Sequence, residues 1–298
     1  MLFRANECSN AYILCIVLPL VTLFVSTNIK ITGQTLLAIG YVSALMCNCL
    51  AFIYIQLNQN ISIFQALSHE EQVESFNSIY FILIAMPYIF FIKQKKYVIV
   101  FILLPLYAII LSEKTTCFLC SLCILFYYFY SEIKRIDIRY RILFLIFLIL
   151  AFLCISVPDS FSLLSVKEDF ESGGNGRSDI ALKTLNIFLD ADIIYFLFGF
   201  GPNGVTSAIG IGAHNDFLEI LFDYGICGLF FFLLFIWSLI RYYIHMRNRC
   251  LVNDVYVISL IVFFIVSSAS SLFATQLQIL LFMVIWGIIF NVNKYILS

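Results

Sequence analysis

The chain has 298 residues, 62% of them hydrophobic and 12% charged, and a formal net charge of −1, with a mean hydropathy of +1.01. One soluble core has no use for so many apolar side chains, so lipid is the expected solvent. With no basic excess and no basic run interleaved with aromatics, nucleic acid is excluded as a partner.

A spanning helix needs about 20 mostly apolar residues, fewer where it is buried among other helices. The first apolar run, 11–25, follows Arg4 and imitates a secretory signal. No small-x-small cleavage site ends it and eight further runs follow, so it reads as a retained span. The next five runs are 35–55, 76–92, 97–111, 117–130 and 140–157, of which 76–92 and 117–130 are short. Three more close the chain, at 226–244, 255–271 and 277–292. The expected fold is therefore all-α, a polytopic helical membrane domain over residues 1–298 with about nine transmembrane helices.

Of the ten cysteines, Cys117, Cys120 and Cys123 repeat a CxxC spacing, but the repeat falls on one stripe of an apolar helix with no histidine or acid beside it. Packing explains it better than a metal or redox role. Positive residues stay on the cytoplasmic side during insertion. Alternate loops sort the 17 Lys and Arg into twelve on one side, led by Lys93, Lys95, Lys96, Lys134 and Arg135, and five on the other: Arg4, Lys114, Lys167, Arg177 and Lys183. The C-terminus then lies inside, and the interval 158–225 faces outward as one long extracytoplasmic loop.

That loop carries ten of the 18 acidic residues and most of the glycines. Gly173, Gly174 and Gly176 precede a helix-like stretch with Ser178 as a fair N-cap, placed either on the membrane surface or against the bundle. Gly199, Gly201, Gly204, Gly210 and Gly212 follow, a loop able to bring backbone close to a ligand.

Three basic or titratable side chains share the outer side: Lys114 in Leu-Ser-Glu-Lys, Arg177 in Gly-Asn-Gly-Arg-Ser, and His214 in Ala-His-Asn-Asp. Arg177 beside a helix N-terminus can present a guanidinium fork and backbone N–H groups to one anion, a pyrophosphate among them; pairing with Asp179 or Glu171 is the plainer alternative. His214 is the loop's only histidine and suits proton exchange near neutral pH, although a loop histidine is often merely exposed. Asn215 can orient a ligand hydroxyl, while Asp216 and Glu219 read either as bases or as first-turn acids of the next helix. Lys114 either meets an anion or snorkels beside Glu113. No HExxH and no paired histidines occur, and the Asp190–Asp192 pair closes a helix-like stretch, so no metal site is expected.

The ordered features Gly176-Arg177-Ser178, Gly199-Phe200-Gly201, the run 213–220 starting Ala213-His214-Asn215-Asp216, and Tyr224-Gly225-Ile226 resemble the O-antigen polymerase and O-antigen ligase superfamily of bacterial envelope enzymes. The resemblance implies a GT-C-like membrane glycosyltransferase of the bacterial inner membrane, with undecaprenyl-pyrophosphate-linked oligosaccharide as donor, no cofactor, and the bilayer as its setting. It further implies work beside a chain-length regulator and a flippase of the same pathway. Arg177 and His214 fall where the family has its functional arginine and histidine; Lys114 stands roughly where many members have an arginine. Polymerase is the preferred reading, ligase to the lipid A core the alternative. A transporter or flippase for lipid-linked sugars is the runner-up from another class, but it should carry ionisable residues inside its spans, which the apolar runs lack.

Overall fold

The computed structural model describes residues 10–29, 31–59, 69–112, 114–133, 177–246, 252–270 and 276–297. All regular structure among them is helical. In chain order the helices are α1 (Asn10–Asn28), α2 (Gly33–Gln59), α3 (His69–Ile89), α4 (Lys95–Leu111) and α5 (Thr115–Ile133), then α6 (Arg177–Leu189), α7 (Ile193–Phe198) and α8 (Gly204–Ile209), and finally α9 (Asp216–Met246), α10 (Asn253–Ala269) and α11 (Gln276–Leu297). Eight of the nine apolar runs read from the sequence coincide with helices; the sixth, 140–157, lies outside the described residues.

By length and composition, two helices are apolar enough to cross a membrane, over Gly33–Gln56 of α2 and Asp216–His245 of α9; six shorter apolar helices accompany them. Pro19, Pro87 and Pro105 lie inside α1, α3 and α4, as helices packed among other helices tolerate. The run expected to reach residue 92 ends as α3 at Ile89, two residues past Pro87, and continues to Ile92 in tighter turns such as Phe91 N–H to the Tyr88 carbonyl, 3.1 Å.

Helix α3 is central, packed against α2, α4, α5, α10 and α11. Its side chains from Ile79 to Ile92 are nearly all buried, as are those along α10 and α11, where Phe263, Phe282 and Trp286 form an edge-to-face aromatic core. By contrast α1, α2 and α9 hold large apolar groups outward, among them Phe24, Leu45 and Phe231. An apolar interior ringed by an apolar exterior is what a lipid-solvated bundle requires, since the outer groups have no reason to avoid their surroundings. Polar side chains serve as helix glue: Asn291 donates to the Thr27 and Ile29 carbonyls at the end of α1, both 2.7 Å.

The loop residues build a small core of their own. Phe188, Val205, Ala213 and Phe222 are buried together, and Phe196, Phe200 and Leu218 pack around them. The rings stack in series, Phe188 on Phe196 at 5.2 Å and Phe200 on Phe222 at 4.4 Å. Helices α6, α7 and α8 thus form a miniature layer over the first turns of α9.

Candidate active site

The site is built around the C-terminal end of α10. A helix end leaves carbonyls without partners inside the helix, and three loop residues engage successive positions there. The buried carboxylate of Asp216 accepts from Ser267 Oγ at 2.6 Å, Asn215 Nδ2 donates to the Ser268 carbonyl at 2.9 Å, and an Arg177 guanidinium nitrogen donates to the Ala269 carbonyl at 3.0 Å. Asn215 is also the cap of α9, its side-chain oxygen accepting the Leu218 N–H at 3.1 Å. This cap explains why α9 starts at Asp216, ten residues before the apolar run at 226.

His214 precedes the cap in the left-handed region, φ 52°, a conformation set by the sharp entry into α9. Its ring is half-buried. Partial burial first, then the positive charge of Arg177 and Lys114, hold the imidazole below its ordinary titration range, against the opposite pull of Glu219. Lys114 lies between α4 and α5 with its ammonium over the Tyr80 ring, 4.8 Å from the centroid. Burial, and then Arg177, push its titration down, opposed by Cys117. Lys114, Arg177 and His214, from segments up to 100 positions apart, therefore sense one another's charge at one place.

Of the two sequence readings for Arg177, the guanidinium bonds the Ala269 carbonyl and, among the described residues, makes no ion pair with Asp179; Glu171 and Glu113 lie outside those residues. The helix begins at Arg177 itself, one residue before the expected cap Ser178. Asp216 is spoken for by Ser267, leaving Glu219 as the acid that faces His214. Asp190 and Asp192 are exposed, and among the described residues no three His, Cys, Asp or Glu gather in a ligand set.

The glycines act differently from the expectation of a ligand-hugging loop. At Gly225 (φ 69°) α9 breaks its helical backbone, and the carbonyls of Phe222 and Asp223 accept the N–H groups of Phe200 and Gly201, both 2.9 Å. A Cβ at Gly199 (φ 75°) would collide with the Asp223 backbone, and one at Gly225 with that of Leu197. Gly199-Phe200-Gly201 and Tyr224-Gly225 are thus two halves of one backbone crossing. The Asp223 carboxylate finishes it, accepting the N–H groups of Asn203 at 2.9 Å and Val205 at 3.3 Å.

Two participants were missed in the sequence. Tyr80 lies inside an apolar run and Ser270 just past another, yet the Tyr80 hydroxyl is within hydrogen-bonding reach of Ser270 and Thr116 beneath Lys114. A lone tyrosine in a span gives no signal until the helices are packed. A cavity of about 500 Å³ lies elsewhere. It is lined by Thr32, Lys93, Tyr128, Asp254 and Val292, at the opposite end of α4 and α10 from the site.

Residues 98–233 match the family model described as O-antigen ligase. That stretch, a little under half of the chain, is what is similar to the O-antigen ligase family. It runs from α4 into the middle of α9 and holds Lys114, Arg177, His214 and Asn215, while Tyr80 and α10 lie beyond it. No curated protein matches the chain.

Proposed function

We propose that this chain is a membrane glycosyltransferase that joins undecaprenyl-pyrophosphate-linked oligosaccharide repeat units into an O-antigen or capsule-type polysaccharide on the outer side of the bacterial cytoplasmic membrane. The observation that carries the reading is the meeting of Lys114, Arg177 and His214 at the end of α10, within a stretch that matches the family. Residues 1–298 act as one membrane domain crossing the bilayer about nine times in a GT-C-like arrangement, with 158–225 as the extracytoplasmic loop.

In this mechanism the acceptor hydroxyl oxygen attacks the anomeric carbon of the donor, and the bond from that carbon to the pyrophosphate oxygen breaks. The hydroxyl proton passes to His214, whose depressed titration keeps its ring neutral and ready to accept it. The pyrophosphate leaves on its lipid, and its new negative charge faces Arg177 and Lys114. One guanidinium N–H remains committed to Ala269, which fixes the fork, and the others are directed to phosphate oxygens. Asn215 fixes the turn that carries His214, and in this reading its second amide hydrogen meets the acceptor. The cationic pair takes the role a metal fills in other transferases, and attack opposite the leaving group gives inversion. A chain-length regulator and a flippase of the same pathway are the expected partners.

The description of the matching family favours a second reading, transfer of the finished glycan to the lipid A core. A deletion strain separates the two: one repeat unit on the core marks a lost polymerase, and no attached polymer marks a lost ligase. Restoration by the wild-type chain but not by His214→Ala, at equal membrane levels, is expected under both. Full restoration by His214→Ala overturns the proposal.

A further inference from the structure

On α6 three directions are distinct. Thr184 and Phe188 are buried on the loop core, Asp179, Lys183 and Asn186 share one exposed flank, and Leu182, Leu185 and Leu189 share the other. Leu182 is 58% exposed and Leu189 61%, so the described residues leave them largely uncovered. The stripe continues on α7, where Ile193 and Ile194 are 68% and 62% exposed and Leu197 and Phe198 point the same way at the i, i+4 spacing. Helix α7 is held against α9 through the backbone contact of Leu197 with Gly225, and the next exposed groups on α9 are Ile226, Phe230 and Phe231. Exposed apolar groups therefore follow one another from α6, past the exposed Asp190 and Asp192, across α7 and onto the outer face of a helix long and apolar enough to cross a membrane.

We infer that the α6–α7 pair is an interfacial anchor whose apolar flank lies among the acyl chains of the outer leaflet. A helix with one apolar flank and one charged flank settles in the plane of the interface. Continuity with the lipid-facing surface of α9 selects acyl chains as the occupant, because a band shared with a spanning helix meets the same solvent as that helix. Tyr195, half-buried on α7, and Tyr224, exposed on α9, adjoin it in sequence, a residue type enriched at membrane boundaries. The depth of α6 then fixes that of Arg177 at its N-terminus, placing the guanidinium at headgroup height, where a lipid-borne pyrophosphate resides; this consequence rests on the proposed function, the anchor itself does not.

The test uses the full chain in lipid nanodiscs with single tryptophans added at Leu189→Trp, Ile194→Trp and, on the polar flank of α6, Asn186→Trp, each read as the emission gained over the two native tryptophans. The anchor predicts that acyl-brominated lipid removes most of the gained emission at 189 and 194 while aqueous acrylamide leaves it, with the reverse at 186. Quenching at 189 and 194 by acrylamide but not by brominated lipid overturns the inference in favour of a water-facing patch. Protection from both quenchers overturns it in favour of a second copy or another protein. Neither readout depends on glycan transfer, so the anchor and the enzymatic reading fail separately.

Discussion

At the scale of single residues, His214 sits in a field dominated by cations. Its imidazolium is disfavoured by burial and by Arg177 and Lys114 and favoured only by Glu219. If the neutral ring is the active form, the acid limb of the rate lies below the ordinary histidine value, because a depressed pKa keeps the base available to lower pH. Glu219→Gln removes the one stabilising charge, so initial rates across the acidic range should show the limb moved to still lower pH; movement upward would contradict the assignment. Tyr80 gives a second prediction. Tyr80→Phe keeps the ring beneath Lys114, whereas Tyr80→Leu forfeits a cation–π contact of about 0.5–2 kcal/mol. Transfer assays should find KM for the lipid-linked donor raised by Tyr80→Leu and nearly unchanged by Tyr80→Phe; equal behaviour of the two would show that the ring does not position Lys114. Arg177 and His214 were legible in the sequence because charge is rare in this chain and each stands in a polar, glycine-punctuated setting. Asn215 was legible as a polar neighbour but not as the clamp on Ser268, and Tyr80 was not legible at all, since both roles arise only when α10 and α3 are brought alongside.

At the scale of elements, the crossing between Gly199 and Gly225 holds the loop core to α9. Gly199→Ala must bear a left-handed φ, about 1–3 kcal/mol for a residue with a side chain, and also an overlap with the Asp223 backbone that no rotamer relieves. Gly201 also has positive φ but open space around it. Thermal unfolding in detergent should therefore show Gly199→Ala clearly less stable than Gly201→Ala, and equal melting would mean that the crossing contributes nothing. Hydropathy located the apolar helices, and reading Asp216 and Glu219 as first-turn acids matches the start of α9 ten residues ahead of its apolar run, where Asn215 caps it. The glycines were visible in the sequence, but their purpose was not: a Gly-x-Gly pattern looks the same whether it approaches a ligand or, as here, another stretch of backbone.

At the scale of the whole molecule, members of the two sets of cations separated by counting alternate loops stand, among the described residues, at opposite ends of α4. Lys93 lines the cavity at one end of α4, and Lys114 joins Arg177 and His214 at the other, across 17 residues, about 25 Å of helix. A cysteine at Ser207, on exposed α8 of the site end, should react with a membrane-impermeant thiol reagent added outside intact spheroplasts. Labelling only after the membrane is opened would reverse the orientation. Alternation of this kind is readable from sequence because insertion acts on loop charge, whereas the convergence of three distant segments on one helix end depends on packing that hydropathy does not encode. The most direct trial of the central claim is transfer by the purified chain in nanodiscs, with undecaprenyl-pyrophosphate-linked repeat units as the sole donor and a chelator present. The account predicts longer lipid-linked glycan from the wild-type chain, a strong loss with Arg177→Lys, and none with Arg177→Ala or His214→Ala; full activity of either alanine variant, or transfer that appears only when a divalent ion is restored, would contradict it.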